Sequence, residues 1–278
     1  IGPFTFLCIR SFIGCIVLSP VIKFKESKED GLSVRDKKQD KSMLMKAGIG
    51  CGLALFIASA LQQVGIYYGT SAGKSGFLTA CYILIVPILA IFLGKKCSWN
   101  IWCGVFLALV GLYFLCMVEA LAFSFSDACV LACAFVYAVH ILIVDKYTLL
   151  VDGVRLSRLQ FLITGIFSGI CMICFEILGN GKNLVEWVKA LSTLNAWIPI
   201  LYAGIFSSGV AFTLQIIGQK GVNPTVASLV MSMESVFSVI AGCIILNETL
   251  SIREALGCIL IFAAIILAQI PVGQKKDF

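Results

Sequence analysis

Glu234 is the residue that demands most of its surroundings. It lies about eleven residues into an apolar stretch of the type that crosses a bilayer, 224–246. A charge at that depth costs roughly 2.5–3.5 kcal/mol on insertion scales, so the side chain must face protein or water. Two uses are open: a cavity group that binds a cation or takes up a proton, or a structural carboxyl held by hydrogen bonds. Gln62, Gln63 and Gln215 are amides inside apolar stretches, where they bind a solute or join helices. Tyr67, Tyr82 and Tyr137 can stack on or bond to a solute, or fill the core. His140, the single histidine, is a proton relay or a packed polar residue.

Other chemistries are poorly served. One histidine cannot build a His-x-x-x-His zinc site, so no metal is expected. The chain has neither a Gly-x-Ser-x-Gly elbow nor a Gly-x4-Gly-Lys-Ser/Thr loop, and no cofactor is expected. Gly48, Gly50 and Gly52 mimic part of a dinucleotide fingerprint without a surrounding βαβ unit. Most of the 13 cysteines lie in apolar stretches and behave as small hydrophobes, the Cys171–Cys174 pair included. Arg10 is expected to pair with a carboxylate or helix-end carbonyls, Lys74 to snorkel, and Glu248 to pair with Arg253.

The elements that position these residues follow from composition. Of 278 residues 60% are hydrophobic and 13% charged, with a mean hydropathy of +1.01. A soluble domain averages about 25% charged residues. Thirteen of the charged residues are concentrated between Lys23 and Lys46, which leaves the remainder more apolar still. The chain therefore reads as an all-α polytopic membrane bundle. About 20 apolar residues cross the hydrocarbon, and nine such runs are present: 4–22, 47–68, 75–94, 99–118, 126–145, 157–178, 197–219, 224–246 and 252–270. Lipid offers no partner to an open backbone group, so each run is a helix.

Let side A be the side on which the first run begins and side B the other. The connectors on side B hold 16 Lys and Arg and those on side A hold four. The positive-inside rule makes side B, and with it the C-terminus, cytoplasmic. This bias also accounts for the net charge of +6 without a nucleic-acid partner. An N-terminus on side A is the expected result if one upstream helix precedes this stretch, giving ten helices in all. Residues 23–46 read as a mobile charged loop, and 179–196 as a short interfacial helix with Leu184, Trp187, Val188 and Leu191 on one side.

An internal repeat underlies this layout. Residues 57–117 moved by 153 positions fall on 210–270 without a gap, with eleven identities in 61 pairs, among them Gln62/Gln215, Ser75/Ser228 and Gly104/Gly257. Matched runs are five spans apart, so the halves have opposite orientation, a plan that secondary transporters share. Gly48/Gly52, Gly65/Gly69, Gly165/Gly169 and Gly204/Ser208 carry small residues at a spacing that lets helices approach closely. Asn223-Pro224 marks a helix start.

The segments "TSAGKSGFLTACYILIVPILAIFLGKK" and "SSGVAFTLQIIGQKGVNPTVASLVMSMESVFSVIAGCIILNETLS" resemble the two EamA-like halves of the drug/metabolite transporter superfamily. "IGPFTFLCIRSFIG" is similar to that family's second helix, with Arg10 in the usual arginine position. The chain departs from the family in having Glu234-Ser235 where Glu-Pro is frequent, and Gly94-Lys95 where Gly-Glu often closes the fourth helix. The resemblance implies an inverted repeat of five helices per half, with nine of ten present, divided as 1–118 and 119–278. It further implies a permease that moves a small organic metabolite, such as an amino acid or a drug-like cation, across the cell's inner membrane by alternating access about a central cavity. The candidate solute-binding residues are Glu234, Gln62, Gln63, Tyr67, Tyr82, Gln215 and His140, and the partners are the solute, the lipid bilayer and a coupling proton. Oligomeric state is not legible. The alternatives are an intramembrane enzyme built on Glu234 and His140, and a non-transporting membrane scaffold.

Overall fold

The computed structural model of the chain describes residues 1–26, 34–95, 97–116, 124–179, 184–245 and 251–270. Among these residues every regular element is helical: α1 (Pro3–Glu26), α2 (Val34–Tyr67), α3 (Ala72–Ala80), α4 (Tyr82–Phe92), α5 (Trp99–Cys116), α6 (Phe125–Tyr147), α7 (Gly153–Cys171), α8 (Leu184–Leu191), α9 (Leu194–Tyr202), α10 (Phe212–Gly218), α11 (Pro224–Met231), α12 (Met233–Ile245) and α13 (Ile252–Gln269). π-helical turns follow α7 (Met172–Ile177) and join α9 to α10 (Ala203–Ala211). Among the described residues, nine helical segments of 18 to 27 residues are long and apolar enough to cross a membrane. They coincide with the nine expected runs to within a few residues at most ends, because hydrocarbon thickness sets the length of each.

Two expectations are corrected. The charged loop proposed for 23–46 is largely helix: α1 runs on to Glu26 and α2 begins at Val34, with 27–33 outside the described residues. Its Lys, Gln, Met and Leu are good helix formers, and Met43 and Leu44 pack against the cluster of Ala47, Cys51 and Leu156. Gly69 is not a packing residue of a Gly65/Gly69 pair. Its φ of 115° places it in a turn with nothing close to it, whereas Gly65 lies against Val130 and the Ser126 carbonyl.

The chain forms two compact units, one of residues 1–64 and 143–221, the other of 65–142 and 222–278. In the first, α1 runs antiparallel to α7, with Gly165 under the Phe12 ring and Gly169 against the Cys8 sulfur. α2 lies parallel to α7, with Gly48 on Leu159 and Gly52 on Ile163, and Thr164 donates to the Gly52 carbonyl at 3.1 Å. Asp152 caps α7 by accepting from the N–H groups of Val154 and Arg155. In the second unit, α5 and α13 cross antiparallel around a core that includes Val105, Ala108, Leu112, Ile261 and Ala264. Asn223 accepts from the Thr225 N–H with Pro224 in the first turn of α11, the cap its sequence called for.

The repeat is visible in the α5–α13 crossing itself. A Cβ on Gly104 would meet the Ala264 oxygen at 2.9 Å and the Ala268 Cβ at 3.3 Å. A Cβ on Gly257 would meet the Gly111 oxygen at 2.7 Å and the Leu115 Cβ at 3.2 Å. Moving by 153 positions exchanges these two sets of contacts atom for atom, and the helices that carry them are antiparallel. A pseudo-two-fold axis therefore relates the pair, as an inverted repeat requires. At the polar ends, too, the start of each helix reaches carbonyls near the end of the other. Asn100, whose repeat mate is Arg253, donates to the last carbonyls of α13 at Leu267, Ala268 and Ile270. Arg253 donates to the Tyr113 carbonyl near the end of α5 and lies 5.6 Å over the Tyr113 ring. Arg253 thus caps α5, while its expected partner Glu248 falls outside the described residues.

Candidate functional site

The third and eighth spans are each broken near the middle. At Cys81 the N–H bonds to the Leu78 carbonyl at 3.3 Å, and at Ser232 to the Leu229 carbonyl at 3.1 Å, a tighter step than the α-helical one. A side chain bonds back to the preceding turn at each break. The Ser232 hydroxyl donates to the Leu229 carbonyl at 2.6 Å, and the Cys81 thiol to the Phe77 carbonyl at 3.5 Å. Such back-bonding competes with the helix ladder and bends it. In the repeat register Cys81 falls on Glu234, two residues past the Ser232 break. Interrupted helices at corresponding positions of two halves mark the place where transporter folds put their sites.

Glu234 occupies the first turn of α12, directly after the break, and its side chain is accessible. Tyr82, the first residue of α4, is half-buried and within electrostatic reach of both Glu234 and Tyr137. It packs on one side against the cluster with Val236 and Met233, and on the other against Ala138, Ile141 and Met231. His140 belongs to the same stretch of α6 but is fully buried. The second unit therefore brings Glu234, Tyr82 and Tyr137 together. Tyr67 stands apart from them at the last residue of α2, 56% exposed and edge-on to Tyr68. Gln62, Gln63 and Gln215 are half-buried residues of the first unit, on α2 and α10.

Two polar clusters were missed in the sequence. Lys74 does not snorkel: its ammonium lies 2.6 Å from the Asp127 carboxylate, with side-chain exposures of 11% and 2%. Asp127 also accepts from the Ser124 N–H at 2.8 Å, the Ser124 hydroxyl at 2.7 Å and the Thr70 hydroxyl at 3.1 Å. The start of α3 is thereby tied to the start of α6. A lone acid in the first turn of a span, opposite a lone Lys at the same membrane end, was the available signal.

The other cluster holds the side-A end of α1. Glu176, delivered by the π turn after α7, accepts from the N–H groups of Phe4 at 2.6 Å and Thr5 at 3.0 Å and from the Thr5 hydroxyl. The Thr5 oxygen in turn accepts from the Trp187 indole at 2.8 Å, which fastens α8 to α1. A carboxylate on two open N–H groups at a helix start is favourable both as a cap and against the helix dipole. Glu176→Ala is expected to cost about 1–2 kcal/mol. It should also release Trp187, read as a lowered melting temperature together with a red shift of indole emission.

Comparison with known proteins assigns the class. The model of the EamA-like transporter family matches residues 1–117 and 124–269, so the chain belongs to that family. An uncharacterized transporter of Archaeoglobus fulgidus is 26% identical over 284 residues, which span 98% of this chain and 78% of that protein. An uncharacterized transporter of Clostridium kluyveri is 21% identical over 277 residues, spanning 95% and 83%. A solved structure titled only as the crystal structure of a protein superposes with a TM-score of 0.73 at 20% identity, over 97% of this chain and 88% of the other. The chain is a multi-pass membrane transporter, and its partners are a small-molecule solute and the bilayer.

Proposed function

We propose that this transporter is a secondary permease for a small organic metabolite, an amino acid or a drug-like cation. It works by alternating access between the inverted halves 1–118 and 119–278, in the cell's inner membrane with side B cytoplasmic. The observation that carries the reading is Glu234. It is a surface-exposed carboxylate within a membrane span, two residues past the break at Ser232; its repeat mate Cys81 stands at the other break, and Tyr82 is within its electrostatic reach. A carboxylate with a tyrosine within electrostatic reach suits an ammonium group, which gains the ion pair and, where it meets the ring, attraction to the ring face. The same carboxylate can exchange a proton in place of the solute. Within the second unit His140 and Tyr67 are the supporting candidates, and Gln62, Gln63 and Gln215 are the candidate solute-binding amides of the first unit.

The test is counterflow in proteoliposomes, run with labelled phenylalanine, a polyamine, a nucleoside and ethidium. Saturable counterflow of at least one is expected, and Glu234→Gln should reduce it tenfold or more. Glu234→Asp should retain part of the activity. Full activity of Glu234→Gln at every pH would remove both the cation site and the proton exchange from this residue.

A further inference from the structure

The seventh span differs in helix type from its counterpart in the first half. Residues 203–211 are π-helical, whereas their repeat mates at 50–58 lie inside the uninterrupted helix α2. In the π segment each N–H reaches a carbonyl five residues back, as Phe212 does to Ser207. An α register would pair Phe212 with Ser208 instead. Single π turns inside α-helices are uncommon and are frequent at functional sites. Here three further observations bear on the segment. The Ser208 hydroxyl is fully buried and has no hydrogen-bond partner among the described residues. The surface that the segment offers to α1 is nearly free of side chains: Gly204 lies on Ile13, Gly209 on Val17, and Gly14 of α1 on Ser208. The residues just beyond it are held by two contacts to α7, the Ser157–Thr213 hydroxyl pair at 2.7 Å and the edge-on rings of Phe161 and Phe212.

We propose that the seventh span is a two-register element, with residues 203–211 interconverting between the π register seen here and an α register. Releasing one residue from the π turns rotates everything beyond it by about 100°, the turn per residue of an α-helix. Residues 212–218, Gln215 among them, then present a different face to the rest of the first unit. Across the contact with α1 the span offers only small residues, Gly204, Ser208 and Gly209, to the Ile13 and Val17 side chains and Gly14 of that helix. The Ser157–Thr213 bond is the latch that favours the π register, and the unsatisfied Ser208 hydroxyl favours leaving it. The inference deepens the transport reading, on which only its purpose rests: an element that changes register can show Gln215 to a solute in one state and withdraw it in the other.

The experiment measures distance and needs no solute. Spin labels are placed at Ile198 and Leu214, both about 61% exposed, in the full chain freed of its other cysteines and held in nanodiscs. They lie 16 residues apart on the span, about 24 Å at α-helical rise. Two distance populations are expected. Thr213→Val, which removes the latch with little change of shape, should enrich the second population at least threefold. Deleting Ser207, which favours the α register, should leave that second population alone. A single distance left unmoved by Thr213→Val would overturn the proposal even if the deletion variant fails to fold. Absent counterflow in the solute panel would instead count against the transport reading and leave these distances as they are.

Discussion

Asp127→Ala is expected to destabilise the protein by about 3 kcal/mol, because it leaves an ammonium inside the protein without its carboxylate. That is more than a hundredfold in the folding equilibrium, at 1.4 kcal/mol for each factor of ten. The magnitude rests on burial: the two side chains are 2% and 11% exposed, so water cannot take the place of the lost partner as it does for a surface pair. The reverse substitution should be milder. Lys74→Met leaves Asp127 still accepting from the Ser124 N–H, the Ser124 hydroxyl and the Thr70 hydroxyl. Three donors hold an anion well, whereas the Asp127→Ala variant takes the acceptor from those donors and the counter-charge from the ammonium together. Thermal melting in detergent checks the order: wild type, then Lys74→Met, then Asp127→Ala as the least stable. An Asp127→Ala protein that melts with wild type, or a Lys74→Met protein that melts below it, would show the network to be superficial. The consequence reaches the candidate site, since α3 is the first half of the broken third span and this network fixes its far end.

How much of this was legible in the sequence depends on the range of the physics involved. Span positions were legible because bilayer thickness acts on each stretch independently of every other. The inverted repeat was legible because it leaves an ungapped register, and the Gly104 and Gly257 contacts now give that register a physical meaning. The breaks were not. At Cys81 and Ser232 the side chain bonds back to the preceding turn, a choice of rotamer that no composition rule announces, while Pro87 lies six residues beyond the first break. The partner of Lys74 was missed because a tabulation of cations treats each as solitary, and Asp127 is 53 residues away along the chain. Glu176 was missed for the same reason: only the fold brings it to Phe4 and Thr5, more than 170 residues off. Glu234 stood out because a mid-span carboxylate needs no partner to be conspicuous, yet its position at a break became visible only with the backbone.

The pseudo-two-fold axis yields the second large effect. Gly104→Ala and Gly257→Ala place a methyl group at 2.9 Å and 2.7 Å from a backbone oxygen of the facing helix. Backbone cannot swing aside as the end of a side chain can, so α5 and α13 must separate along their whole crossing. Each substitution is expected to cost about 2–3 kcal/mol, at the upper end of what an added methyl costs in a packed interior. Because the two contacts are equivalent under the repeat, the costs should agree within about 0.5 kcal/mol. They should also fail to add, since the separation that admits the first methyl makes room for the second; residues sharing one contact couple in this way. Gly76→Ala is the control: nothing lies within 4 Å of its Cβ, and α3 gains helix propensity, so it should be neutral or stabilising by up to about 1 kcal/mol. A double-mutant cycle followed by thermal unfolding decides the matter. Unequal and additive losses at Gly104 and Gly257 would mean that the two contacts are separate accidents of packing, and the symmetry read from residues 57–117 and 210–270 would lose its physical content.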